Sequence, residues 1–295
     1  MKLFKCFFIL ALPLALLACH KPEQNNDASA RLLSTQELVS QIKSQMSWVP
    51  GGHFMMGTNN QYFFDEIIDN TPAHPVTLDG FYMQKYLVSS QQLNSYLALV
   101  GKTNLRIYPQ SPHTKGLYPA FNNWYVAHDF CAWLEQQTKL PFSLSTEAQW
   151  EYAARDGGKN IGYPTPDGKL EMGVNYPSPE TFTHKNALGL KVNDFPVNAI
   201  GIHQMGGNIS EWLNDWYAVN YYASSPINNP QGPTTGTERV TKGVASVIIR
   251  AFIDNQNDPV LKSSLSVYTR GNAPPDVKVI GFRCVINSSK PVLSQ

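Results

Sequence analysis

Charged residues are scarce in this sequence, and neither sign of charge predominates. Asp, Glu, Lys and Arg make up 15% of its 295 residues, and the formal net charge at pH 7 is +1. Nucleic acids and anionic membrane surfaces attract proteins through clustered positive charge, so the composition gives no reason to expect either as a partner. Apolar residues at 42% and aromatic residues at 12% are sufficient for a sizeable core.

Residues that bind metals or react are also few. The chain has four cysteines and seven histidines, and none has the spacing of a zinc site. We expect the histidines to serve in packing or at the surface. A phosphate-cradling Gly-rich loop and a Ser-centred nucleophile elbow are absent as well. The carboxylate pairs Asp65/Glu66 and Asp254/Asp258 are interpreted as solvated surface.

The first 18 residues have the pattern of a lipoprotein signal peptide. Lys2 and Lys5 precede an apolar run at residues 7–17, which is too short to span a bilayer. The run ends in the lipobox pattern Leu-Leu-Ala-Cys, which predicts cleavage before Cys19 and lipidation of Cys19. The alternative is an ordinary secretory signal with an incidental cysteine. Since His20 replaces the Asp of an inner-membrane retention signal, we expect an anchor in the outer membrane that faces the periplasm.

The rest of the chain predicts one loop-rich domain behind a tether. Residues 19–46 are interpreted as the tether and a short helix, with a capping box at Ser34 and Glu37. The domain is predicted at residues 47–287, followed by a disordered tail at 288–295. Within it we expect helices near 89–100, 124–137 and 146–155, and strands near 53–57, 76–78, 81–83, 246–251 and 280–286.

Several motifs, in the right order, resemble the formylglycine-generating-enzyme or sulfatase-modifying-factor family. They are Trp-Val-Pro-Gly-Gly at 48–52, Phe-Cys-Ala-Trp at 130–133, Ser-Thr-Glu-Ala-Gln-Trp-Glu-Tyr-Ala-Ala-Arg at 145–155, Gly-Asn-Ile-Ser-Glu-Trp at 207–212 and Gly-Phe-Arg-Cys at 281–284. The match covers about residues 47–286. It implies an α+β fold of the formylglycine-generating-enzyme type, a complex C-type-lectin-like fold with little regular secondary structure.

The resemblance also implies that this chain lacks the two copper-binding cysteines of active family members. Active members oxidise a substrate cysteine with O2 at a copper ion that two cysteines hold. Alignment on Arg270 places Lys262 and Val267 at those two positions, and no cysteine lies between Cys131 and Cys284. Because copper(I) requires soft thiolates, the family's copper site cannot be assembled, and copper is not expected as a cofactor.

Two further residue sets follow from the resemblance. Cys131 and Cys284 match a structural disulfide of the family. The family's calcium ligands correspond to side-chain oxygens of Gln204 and Glu211 and to backbone carbonyls of Gly207 and Ile209. Calcium prefers charged oxygens, and the amide of Gln204 is neutral. The alternative is that Glu211 hydrogen-bonds the loop backbone without a metal.

These observations favour a non-catalytic family member that binds a protein partner in the periplasm or envelope. An envelope or secretion complex is one setting, and neutralisation of a toxin by an immunity lipoprotein is another. Membrane association comes through the lipid on Cys19. The alternative hypothesis is a divergent metal- and O2-dependent oxidoreductase of the formylglycine-generating or siderophore-maturation type, with Tyr268, Arg270 and His203 as first candidates.

Overall fold

The computed structural model describes residues 31–59, 69–105, 117–182, 189–195, 197–244, 249 and 259–293. Several sequence predictions lie outside these residues: the signal peptide, the anchor on Cys19, much of the tether, most of the strand at 246–251, and the two carboxylate pairs. In the described part of the chain, no helix is both long and apolar enough to cross a bilayer.

The described residues form short helices and strands that long irregular segments connect. The helices are α1 (Thr35–Ser44), α2 (Ser90–Leu99), α3 (Trp124–Thr138), α4 (Glu147–Ala154) and α5 (Pro259–Ser264). The strands are β1 (Met46–Val49), β2 (Gly52–Met56), β3 (His74–Leu78), β4 (Phe81–Gln84), β5 (Phe142–Leu144), β6 (Glu211–Trp216), β7 (Arg239–Lys242), β8 (Gly271–Ala273) and β9 (Cys284–Asn287). This mixture of helix and sheet confirms the predicted fold class.

Three of the helices begin with a reciprocal cap. The residue just before the helix is the N-cap, and its side chain accepts the backbone N–H of the residue three positions later. The side chain of that later residue in turn accepts the backbone N–H of the N-cap. Such pairs satisfy donors that a helix start leaves free. They occur at α1, α2 and α4, between Ser34 and Glu37, Ser89 and Gln92, and Thr146 and Gln149. The caps predicted at Ser34 and Thr146 are confirmed.

Strand β9 lies inside the largest sheet. The sheet has the order β1-β4-β9-β5, with every neighbouring pair antiparallel. Strands β2 and β3 form a separate antiparallel pair, and β6, β7 and β8 form a three-stranded sheet. Cys131 of α3 and Cys284 of β9 are joined in a disulfide, with their Cα atoms 5.7 Å apart. This bond attaches α3 to the middle of the sheet.

Two large apolar clusters hold the domain together. One contains residues of α1, α2, α3 and the first sheet together with Trp212, and the other surrounds Trp150 of α4. Trp212 is 0% exposed and Trp150 is 1% exposed. The indole N–H of Trp212 donates to the carbonyl of Asn122 (2.8 Å). A buried indole with a satisfied N–H fixes the loop that it contacts.

The folded unit differs from the prediction at both ends. Leu38 and Ile42 of α1 are 0% exposed and belong to the first apolar cluster, so this helix is part of the domain and not of the tether. At the other end, the N–H groups of Val292 and Leu293 both donate to the hydroxyl of Tyr82 (3.1 Å each). Val292 and Leu293, which lie in the tail that we predicted to be disordered, therefore contact β4.

Candidate functional site

Val267 and Lys262 occupy the two positions at which the family resemblance places copper-binding cysteines. Val267 is 0% exposed and lies in the second apolar cluster. Its N–H donates to the carbonyl of Gly162 (2.9 Å), and its carbonyl accepts the ammonium of Lys242 (2.8 Å). The carbonyl of Lys262 accepts the hydroxyl of Tyr163 (3.2 Å). An alkyl group and an ammonium group are not ligands for copper(I), so the side chains at these two positions do not supply a copper site.

A buried ion pair joins the start of α4 to the segment before β8. Arg270 donates from Nε to Oε1 of Glu147 (2.7 Å) and from Nη2 to Oε2 (2.9 Å). Both side chains are almost inaccessible to solvent. Burial acts to raise the pKa of Glu147, but the positive charges of Arg270 and Lys242 outweigh it and hold that pKa below its ordinary value. The pair therefore stays ionised inside the protein.

The remaining surface of the Arg270 guanidinium is also occupied. Its Nη1 donates to the backbone carbonyl of Asp69 (2.7 Å). The ring centroids of Tyr217 and Tyr222 lie 5.0 and 4.5 Å from its central carbon, and Tyr222 donates its hydroxyl to Glu147 (3.0 Å). A buried charge needs such a complete set of partners. Arg270, which we considered as a reactive residue, has the environment of a structural one.

A second buried carboxylate lies one turn further along α4. Oε1 of Glu151 accepts the N–H of Gly57 (2.9 Å) and an N–H of Arg155 (3.2 Å), and Oε2 lies 3.3 Å from Nζ of Lys242. The side chains of Glu151, Arg155 and Lys242 are at most 4% exposed. Helix α4 thus presents two carboxylates to the interior, and each is neutralised by basic side chains.

Asp215 of β6 is a buried acid of a different kind. Its Oδ2 accepts the backbone N–H of Glu147 (3.0 Å), and no described basic side chain forms an ion pair with it. Burial, and after it the negative charge of Glu147, raises the pKa of Asp215 to about 8. A carboxylic acid rather than a carboxylate therefore predominates at this position at pH 7.

The segment from Gln204 to Glu211 carries the residues that the resemblance assigns to calcium. The N–H of Leu190 donates to Oδ1 of Asn208 (2.8 Å), so the other end of that amide, Nδ2, is the donor that lies 2.7 Å from Oε1 of Gln204. This bond uses the oxygen of Gln204. Its buried Nε2 has no hydrogen-bond partner among the described residues, and an amide N–H group cannot ligate a cation.

Glu211 is committed to another partner. Its two oxygens accept Nε and Nη2 of Arg283 (2.7 and 2.8 Å), where we had considered a metal or the loop backbone. Within the described ranges, no group of three or more His, Cys, Asp or Glu side chains could hold a metal ion. Protein donors thus engage the side-chain oxygens of Gln204 and Glu211, the two side chains of the calcium set. Calcium takes six to eight oxygens, so the residues present do not fit it.

Calcium is therefore expected to leave the melting temperature of the protein unchanged. A ligand that binds the folded state adds about 2.7 kcal/mol of stability at a concentration of one hundred times its Kd, and without a site this term vanishes. Thermal unfolding followed by circular dichroism, in millimolar CaCl2 and in EGTA, measures it. MgCl2 at equal ionic strength controls for salt. A rise in melting temperature with calcium alone would contradict the interpretation.

The other two residues considered for oxidation chemistry are also held by structural contacts. Nδ1 of His203 lies 3.0 Å from the carbonyl of Phe195, and its ring packs against that of Tyr86 at a tilt of 32°, with 4.6 Å between centroids. The ring centroid of Tyr268 lies 5.3 Å from the guanidinium carbon of Arg155. None of the described contacts joins His203 to Tyr268 or to Arg270, so the three candidates do not form one cluster.

The buried ion pairs were not predicted from the sequence, although the sequence of α4 does indicate their acidic members. Glu147 and Glu151 lie in a helix of which every residue is buried, and a carboxylate in such a helix requires a buried cation. The partner of Glu147, Arg270, is 123 residues away along the chain. Local patterns do not identify a partner at that distance.

The geometry defines a formylglycine-generating-enzyme-type domain that has its scaffold but lacks the thiol pair. The model of the "Sulfatase-modifying factor enzyme 1-like domain" family matches residues 31–288. The chain therefore belongs to the sulfatase-modifying-factor family.

Three relatives are each 27% identical to the chain over the aligned residues. It is 27% identical over 222 residues to the serine/threonine-protein kinase Pkn1 of Chlamydia trachomatis serovar L2, covering 68% of this chain but only 33% of the kinase. The formylglycine-generating enzyme of Mus musculus is 27% identical over 293 residues, covering 82% of this chain and 74% of the enzyme. The enzyme of Thermomonospora curvata is 27% identical over 252 residues, covering 69% and 82%.

Solved structures agree on the fold. PvdO from Pseudomonas aeruginosa has a TM-score of 0.62 and 22% identity, covering 82% of this chain and 94% of PvdO. Treponema denticola variable protein 1 has a TM-score of 0.62 and 20% identity, covering 82% and 95%. At this level of identity the similarity establishes a common fold alone.

Proposed function

We propose that the protein is a lipoprotein whose domain binds a protein partner at the cell envelope and does not catalyse oxidation. The identity of residues 262 and 267 carries this proposal. Active relatives need two thiolates there, and this chain has Lys262 and buried Val267. Beyond residue 19 the cysteines are Cys131 and Cys284, and these are joined to each other.

The surface that we propose for the partner lies on β2, β3 and the segment beside them, and we call it the β2–β3 patch. Met55 of β2 pairs in register with Pro75 of β3, and the N–H of Thr77 donates to the carbonyl of Ile227 (2.7 Å). Met55 is 49% exposed and Ile227 is 54% exposed. The segments of these two exposed apolar residues flank β3, and we place the contact with the partner there, since exposed apolar surface is typical of protein interaction sites.

Affinity purification from membranes, with Cys19 intact, tests the proposal. We expect a specific partner with the natural chain and a recovery about tenfold lower with Met55→Lys/Ile227→Lys, since a charge at an apolar contact costs over 1 kcal/mol. Val174→Lys is the matched control, because Val174 is 66% exposed and lies outside the patch. Recovery of no partner, under conditions that capture a known envelope complex, would contradict the proposal.

The alternative function is a divergent oxidoreductase that uses other residues in the same fold. Tyr268, Arg270 and His203 were its candidates, and their contacts support structural roles. Metal analysis of the purified chain distinguishes the two functions. Copper or iron at one ion per chain, together with O2 consumption in the presence of a thiol peptide, would favour the enzyme.

The proposed anchor predicts where the protein is found in a fractionated cell. With Cys19 present we expect the chain in the membrane fraction. Cys19→Ala is expected to move nearly all of it to the soluble periplasmic fraction, because acyl chains supply stable anchoring. Immunoblots of the fractions measure this, and Cys6→Ala controls for loss of another cysteine. Retention of Cys19→Ala in the membrane would contradict lipidation as the anchor.

A further inference from the structure

The guanidinium of Arg239, at the start of β7, lies between two indole rings. Its central carbon is 3.4 Å from the ring centroid of Trp216, the last residue of β6, and 3.7 Å from that of Trp124, the first residue of α3. The indole N–H of Trp124 donates to the carbonyl of Leu213 (2.8 Å), which fixes that ring. At these distances the guanidinium stacks on both rings. The two indoles therefore hold the cation in one position.

Arg239 differs from the other arginines in the described part of the chain. Each of the others forms an ion pair with a glutamate: Arg31, Arg155, Arg270 and Arg283. No carboxylate among the described residues forms an ion pair with Arg239. A partly buried charge without a counter-ion is unfavourable. The position therefore favours an anion that comes from outside the described residues.

The guanidinium of Arg239 also has donors that the protein does not use. Nη1 donates to the carbonyl of Asn214 (2.6 Å), and the side chain donates to no other described residue. Nε is buried without a partner. Nη2 has no described partner either, but it is not one of the buried atoms, so solvent reaches it. An oxygen acceptor from outside can therefore bind at Nη2.

The groups that face Arg239 do not neutralise its charge. Burial lowers the pKa of Arg239 to about 10, against the opposing effects of Asp215 and Tyr125. The carboxyl of Asp215 is largely protonated at pH 7, because burial raises its pKa to about 8, and a tyrosine hydroxyl carries no charge at that pH. The stack thus has one uncompensated positive charge at neutral pH.

The residues around the stack are of the types that dominate protein interfaces. Tyr125 is 53% exposed, and its ring meets that of Trp124 edge-on with 5.7 Å between centroids. Trp216 and Arg239 are half-buried. Trp, Tyr and Arg contribute most of the binding energy in protein interfaces. This composition favours a protein, and not a free ion, as the source of the anion.

We propose that Arg239 binds the carboxylate of an Asp or Glu side chain that the protein partner presents. A carboxylate oxygen accepts from Nη2, and the apolar atoms beside it lie against Tyr125 and Trp216. The one positive charge of the stack matches the single charge of a carboxylate, whereas a phosphate group carries about −1.5 to −2. This site rests on the proposed protein-binding function and specifies the chemistry of the partner at a contact besides the β2–β3 patch.

Titration of the purified full chain with a blocked Val-Glu-Val peptide tests the site without the natural partner. A blocked Val-Gln-Val peptide is the neutral match, and acetate and inorganic phosphate are the free anions. Nitrogen-15 NMR signals of the indole N–H groups of Trp124 and Trp216 report binding. We expect saturable shifts with the Glu peptide and about tenfold weaker binding of the Gln peptide, since a charge-assisted hydrogen bond is lost.

Variants assign the binding to Arg239. Arg239→Met is expected to lower the affinity for the Glu peptide to that for the Gln peptide. Tyr125→Ala, at an exposed position, is expected to weaken both peptides about threefold and to keep the preference for Glu. Arg31→Met removes an arginine that is paired elsewhere and should leave both affinities unchanged. Melting curves show whether each variant is folded.

A further measurement on the natural chain does not depend on the stability of Arg239→Met. The Glu peptide is expected to protect Arg239, but not Arg31, from modification by phenylglyoxal, as mass spectrometry detects. Equal affinity for the two peptides, no saturable binding, tighter binding of acetate or phosphate than of the Glu peptide, or no protection of Arg239 would each overturn the carboxylate site. Recovery of no partner from membranes would instead contradict the proposed function.

Discussion

Reduction of the Cys131–Cys284 disulfide is expected to lower the free energy of unfolding by about 5 kcal/mol in the chain-entropy model. The two cysteines are 153 residues apart in the sequence, so the bond removes a large part of the conformational freedom of the unfolded chain. Both cysteines are 0% exposed, and reduction leaves their packing in the folded state in place. Since typical domains are stable by only about 5–15 kcal/mol, this one bond determines whether the protein survives mild denaturation.

Urea unfolding with and without a phosphine reductant measures the loss. The double variant Cys131→Ala/Cys284→Ala is the control, because the reductant should not change its unfolding midpoint. The natural chain should move close to that midpoint when reduced. A shift below about 1 kcal/mol would indicate that the denatured chain retains structure, or that the bond is strained when folded.

The second large effect is expected at the buried ion pair. Arg270→Met leaves Glu147 as an uncompensated buried carboxylate, and removal of one partner of a buried pair costs about 3–5 kcal/mol. Glu147→Gln added to Arg270→Met removes that charge and is expected to recover a substantial part of the loss. Unfolding free energies of the two single variants and of the double variant form a cycle that isolates the interaction.

The exposed pair of Arg31 with Glu37 provides the matched control. Its guanidinium lies 2.7 Å from the carboxylate, the same distance as in the buried pair, but the side chains are 61% and 45% exposed. Solvent and salt screen such a pair, so Arg31→Met is expected to have no measurable effect on stability. Equal losses of unfolding free energy at the two ion pairs would show that burial does not determine how much the Arg270–Glu147 pair stabilises the protein.

Much of the scaffold was predictable because its determinants are local. The caps at Ser34 and Thr146 are fixed by side chains three residues apart in the sequence. The apolar face predicted for the helix that begins at Trp124 is buried, with Phe130, Cys131 and Leu134 each 0% exposed. Family motifs supplied the order of the remaining segments. In each case a short window of sequence contains the information.

The electrostatic interior was not predictable in the same way. Glu151 meets Lys242 across 91 residues, and Glu211 meets Arg283 across 72 residues. The local sequence of neither basic residue identifies the carboxylate that it meets. The contacts of Val292 and Leu293 with Tyr82 depend likewise on a hydroxyl some 210 residues earlier. Such pairings follow only from the three-dimensional path of the chain.

The position of β9 between β4 and β5 has a consequence for folding during synthesis of the protein. Translation begins at the N-terminus, so earlier segments of the chain wait for later ones. Until residues 284–287 have emerged, two strands of the largest sheet have edges without a partner, and such edges recruit other chains. The largest sheet can therefore be completed only after the C-terminal segment has been made. A chain that stalls before residue 284 is an aggregation-prone intermediate on which chaperones and proteases act first.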